Sequence, residues 1–133
     1  MGFIDLSKAI RLKETTFACS FDPWWVIMAL RSVTCNHRNL QRVSVIADWL
    51  LYRRGFCRFD PANIVNWVGE AVYLRWLELD RLLFRLWESH SVHLEVRYEI
   101  PPSMDEKRAR GFMEEFFPEL TSRGLVDLVG RKC

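Results

Sequence analysis

VHLEVRYEI, residues 92–100, alternates Val92, Leu94, Val96, Tyr98 and Ile100 with His93, Glu95, Arg97 and Glu99. That is the period of a strand that buries one face and shows the other. Pro101 and Pro102 end it, because neither can donate to a ladder. Forward of this stretch, residues 104–119 are rich in helix formers. They open with Ser103, Asp105 and Glu106, a capping residue and acids suited to the positive end of a helix. The predicted helix keeps Phe112, Met113, Phe116, Phe117 and Leu120 apolar and stops at Gly124. Leu125, Val126, Leu128 and Val129 then predict a closing strand. A strand, helix, strand succession implies parallel pairing, since parallel neighbours need a crossover.

Working back from residue 92, the apolar residues Leu74, Leu77, Leu82, Phe84, Leu86 and Trp87 predict a long helix. It is started by Asp60 and Pro61, is interrupted near Gly69, reaches about residue 88, and is expected to be buried on two sides. Residues 47–59 read as a loop. Leu40, Val43, Val45 and Ile46, with Arg42 and Ser44 between them, predict a second strand. Residues 35–39 read as a turn. Asp22 and Pro23 start a helix over about 24–33, and residues 6–17 contain a weakly patterned short strand. The fold class is therefore α/β, built from short irregular β/α units, with three to four mostly parallel strands and helices on one side.

The composition bounds the role. The chain has 133 residues, enough for one domain with a core, and half of them are hydrophobic, with six Trp and nine Phe. So many indoles are not all expected inside a small core, because each buried N–H needs a partner. Nineteen basic residues balance seventeen acidic ones to a net charge of +2, which gives no global field toward nucleic acid or an anionic membrane. Cys19, Cys35, Cys57 and Cys133 lack C-x-x-C spacing and read as reduced thiols. No secretory leader, membrane-length apolar run or lipidation motif is evident: Leu6 stands where a myristoylation motif wants Ser or Thr. A cytoplasmic or nuclear protein is the expectation.

Three segments resemble a known family: Ala29-Leu-Arg-Ser-Val33, Asn39-Leu-Gln-Arg-Val-Ser-Val45 and Phe116-Phe-Pro-Glu-Leu-Thr-Ser-Arg-Gly-Leu-Val126. Together they look like the carboxyl-terminal leucine-rich-repeat-like region of the F-box-type proteins abundant in mushroom-forming fungi. The likeness spans residues 23–129. It implies irregular β/α repeats that present a surface to another protein, with an amino-terminal F-box handing that partner to a ubiquitin ligase. Residues 1–21 are too short for an F-box, so the chain is expected to be a fragment of a longer protein, the product of a truncated gene model or a free-standing copy. A repeat fragment would carry an unprotected sheet edge, which is compatible with an edge-to-edge homodimer.

Chemistry-bearing constellations are sparse. His93 and Glu95 share a strand face, with His90 and Glu88 nearby, but two histidines at a strand entrance without a Cys usually belong to a solvated surface. Cys35 and His37 are neighbours in a turn and lack a third orienting group for nucleophilic catalysis. There is no phosphate-cradling glycine loop, no G-x-S-x-G and no H-E-x-x-H. No cofactor and no catalytic residue are assigned. Residues 52–59 interleave bases with aromatics through Arg53, Arg54, Phe56, Arg58 and Phe59. That composition stacks bases and neutralises phosphates, but the balanced charge of the whole chain argues against nucleic acid. The expected function is non-catalytic protein binding through Arg42, Ser44, His93, Glu95, Arg97 and Glu99, with nucleic-acid binding through residues 52–59 as the alternative.

Overall fold

The computed structural model of the chain describes residues 11–19, 22–33, 36–47, 70–100 and 105–132. They form β1 (Glu14–Ala18), α1 (Trp24–Arg31), β2 (Arg42–Ile46), α2 (Glu70–His90), β3 (His93–Ile100), α3 (Glu106–Phe116), α4 (Pro118–Ser122) and β4 (Val126–Lys132). The four strands make one sheet in the order β1-β2-β3-β4, and every neighbouring pair is parallel. The fold is α/β with a parallel sheet, as the alternation of strand and helix patterns predicts. Because the strands are laid down side by side in one direction, crossovers of one hand place their helices on the same face.

That face carries the core. Phe17, Val43, Val45, Leu94, Val96, Tyr98, Ile100 and Leu128 are buried, and they join one apolar cluster with residues of α1, α2, α3 and α4. Its centre is aromatic. Trp76 of α2 meets Phe116 and Phe117 edge-on at 5.3 and 5.8 Å, and Phe112 packs on Phe116 at 5.0 Å. Such pairs add about 0.5–1.5 kcal/mol each beyond area burial. The tryptophans divide as their number suggests: Trp76 is buried, Trp25 packs edge-on against Phe17 at 5.7 Å, and Trp24 and Trp87 are exposed. Trp49 and Trp67 lie outside the described residues.

Helix α2 departs from expectation in two ways. It runs on through Ser89 and His90, closing on Ser91 at φ 53. Its buried residues, Trp76, Leu79, Asp80, Leu83 and Leu86, form a single stripe, while Leu74 and Trp87 face outward. In a one-sided helix layer only one stripe of a helix reaches the sheet. The crowding of apolar residues around α2 serves contacts on its flanks, such as Phe84 stacked on Trp87 at 6.1 Å.

The last predicted helix is two helices. Asp105 caps α3, its Oδ1 accepting from the Arg108 N–H at 2.7 Å. α3 then ends at Phe116, and Phe117 takes φ −129 and ψ 58 before Pro118 opens α4. Pro118 brings no N–H to continue the ladder and disfavours helical backbone at the residue before it. α4 closes at Arg123, followed by Gly124 at φ 66, where a residue without Cβ is at ease.

Candidate functional site

The sheet face opposite the helices is built by the other half of each strand's alternation. Glu14, Thr16 and Ala18 of β1, His93 and Arg97 of β3, and Asp127, Val129 and Arg131 of β4 are exposed there. Arg42, Ile46, Glu95 and Glu99 are half-buried among them. Register sets them in rows. Thr16, Ser44, Glu95 and Asp127 lie abreast, and beside them run Ala18, Ile46, Arg97 and Val129.

Two carboxylates, Glu95 and Asp127, are thus direct cross-strand neighbours, an arrangement that alone would be unfavourable. Surrounding arginines and His93 offset it. Glu95 is ion-paired with Arg97 on its own strand and lies 3.6 Å from Arg42 Nη1 across to β2. Asp127 Oδ2 lies 2.9 Å from His93 Nε2, and Glu99 Oε1 accepts from Arg131 Nη2 at 2.6 Å. Each pair is partly solvated and contributes about 0.2–1 kcal/mol. Their joint effect is to hold long side chains in defined places across three strands. The surface is therefore ordered in its charges and carries apolar side chains at Ala18, Ile46 and Val129, the last 44% exposed, with Arg97 standing between Ile46 and Val129.

Five of the six sequence-named contact residues, Arg42, His93, Glu95, Arg97 and Glu99, are brought together on this face. Ser44 is a correction: it is only 2% exposed. A short side chain in the second of four strands, flanked by Thr16 and by the longer Glu95, sits below the reach of solvent. The sequence reading missed Asp127, Val129 and Arg131. Their signal was the alternation of Val126 and Leu128 with these residues, which places Val129 on the open face rather than in the core.

Arg53, Arg54, Phe56, Arg58 and Phe59, the alternative nucleic-acid residues, lie outside the described residues, as does Cys35. His37 is fully buried. Of the residues considered for a metal, His93 and Glu95 do share the face, but they are engaged with different partners. His90 Nδ1 sits 2.7 Å from Ser89 Oγ at the end of α2, and Glu88 is exposed on the same helix. Among the described residues no group of three or more His, Cys, Asp or Glu side chains converges. No described helix is long and apolar enough to cross a membrane.

Two buried titratable groups lie on the helix side. Asp80 of α2 accepts from the N–H groups of Glu119 at 3.0 Å and Leu120 at 3.1 Å, so it caps α4 from another helix. Burial raises its carboxyl above the usual value, and those two donors only partly counter the effect. Cys19 follows β1, and burial, seconded by the charge of Asp22, pushes its thiol up to about 12. A thiol so placed is not a nucleophile at neutral pH.

No protein-family model, curated protein or solved structure matches the chain.

Proposed function

We propose that the chain is a non-catalytic protein-interaction module and that the open face of the parallel sheet is its contact surface. The observation that carries this reading is the face itself. It spans four strands, no described helix packs on it, and its charged side chains pair across strands beside a row in which Ala18, Ile46 and Val129 are apolar and Arg97 stands between Ile46 and Val129. Apolar side chains set among polar, hydrogen-bonding ones make up protein interfaces, and arginine is enriched in them. The wholly sequential, parallel strand order supports the likeness to the repeat region of F-box-type proteins. Under that likeness the partner is a protein chosen for ubiquitination, and the chain is the part that does the choosing.

The test is comparative capture. The wild-type chain and the variant Arg97→Glu/Val129→Asp are used as baits in a lysate of the cells that make the protein, beside a helix-side control, Trp24→Ser. Partners lost with the sheet-face variant and kept by the control are the expected result. Retention of every partner by the sheet-face variant would show that this surface is not the one used.

A further inference from the structure

A cleft of about 570 Å³ lies between the C-terminal ends of α1 and α2 and the turn before β2, away from the open sheet face. Its inner wall is apolar: Leu30 and Leu86 are buried and Leu82 is half-buried. Its rim is cationic, with Arg31, Arg38 and Arg85 all exposed and no Asp or Glu among the lining residues. Arg31 is ion-paired with Glu78 outside the cleft. Neither Arg38 nor Arg85 has an acidic partner among the described residues.

The ordinary use of basic side chains at helix ends is to offset the dipole. Two C-termini meet here, each worth about half a negative charge. With Arg31 neutralised by Glu78, the guanidinium groups of Arg38 and Arg85 exceed that demand by roughly one charge among the residues that line the cleft, while Glu88, three residues on from Arg85, lines the neighbouring cleft. A cleft with an excess cation over an apolar wall, and a volume inside the range of small-ligand sites, is matched to a particular chemistry. We propose that it binds a small organic anion. One carboxylate or phosphate group engages Arg38 and Arg85, where planar guanidinium groups favour paired hydrogen bonds, and an apolar body lies on Leu30, Leu82 and Leu86.

Four probes separate the contributions by calorimetric titration: phenylacetate, phenyl phosphate, benzyl alcohol and inorganic phosphate. Saturable binding of phenylacetate or phenyl phosphate is expected, at least about tenfold tighter than either benzyl alcohol or inorganic phosphate, and whichever of the two anions binds more tightly names the headgroup. Arg38→Gln and Arg85→Gln, each melting as the wild type does without ligand, are expected to weaken it by about tenfold. Absence of saturable binding, equal affinity for inorganic phosphate, or an affinity unchanged in both variants would overturn the assignment. Arg97→Glu, on the sheet face, should leave the titration unaltered, so failure here and failure of the protein-binding surface are read separately.

Discussion

Asp80 shows what a single side chain does in this fold. It sits in the buried stripe of α2, where an apolar residue would be expected, and its carboxylate caps α4 by accepting from Glu119 and Leu120. Asp80→Ala leaves both N–H groups without that acceptor and is expected to lower stability by about 2 kcal/mol in urea unfolding. The pH dependence has a definite sign. Because burial raises the folded-state value above 3.8, the folded chain holds this proton more tightly than the unfolded chain. The contribution of Asp80 is thus fully present below 3.8 and is lost as pH rises through the raised value. Relative to Asp80→Asn, which cannot titrate, the wild type should gain stability as pH falls from about 7 to about 4. A gap that is constant, or that shrinks toward low pH, would contradict this. At Cys19 the buried thiol, pushed up to about 12, is expected to resist iodoacetamide in the folded protein and to react only after unfolding. Peptide mapping of native and urea-treated samples reads this directly.

At the scale of the element, legibility followed local chemistry. β3 and β4 could be read because alternation is a property of the strand itself, and the start of α3 because Asp105 carries its cap within its own sequence. The break between α3 and α4 was hidden by continuous apolar spacing, and only Pro118 announced it. Its acceptor, Asp80, lies 39 residues away from Glu119 and could not be found by a local pattern. Ser44 was misread for a similar reason, since whether a short polar residue reaches solvent depends on neighbours in two other strands. β4 also holds a close approach. A Cβ on Gly130 would stand 2.9 Å from Ile100 Cδ1 and 3.0 Å from the Tyr98 ring. Gly130→Ala should cost about 1 kcal/mol, as the tip of Ile100 can shift, and Gly130→Val about 2–3 kcal/mol, with hydrogen-exchange protection lost first along β4. Equal stability of all three proteins would show that the strand edge is looser than this packing implies.

For the whole molecule, a sequential parallel sheet whose described helices lie on one face sets the division of labour. Helices supply the core on one side, and the other side is left as an ordered mosaic of Arg42, His93, Glu95, Arg97, Glu99, Asp127 and Arg131 around Ile46 and Val129. The most direct test of the protein-binding role is site-specific photocrosslinking. A benzophenone side chain is placed at Arg97 or Val129 on the open face, or at Arg81 on the exposed side of α2, and each protein is irradiated in a lysate of the cells that make it. The expected result is one discrete crosslinked protein from positions 97 and 129 and none from 81. Crosslinks that arise from position 81 alone would place the contact surface on the helices and contradict the role assigned to the sheet.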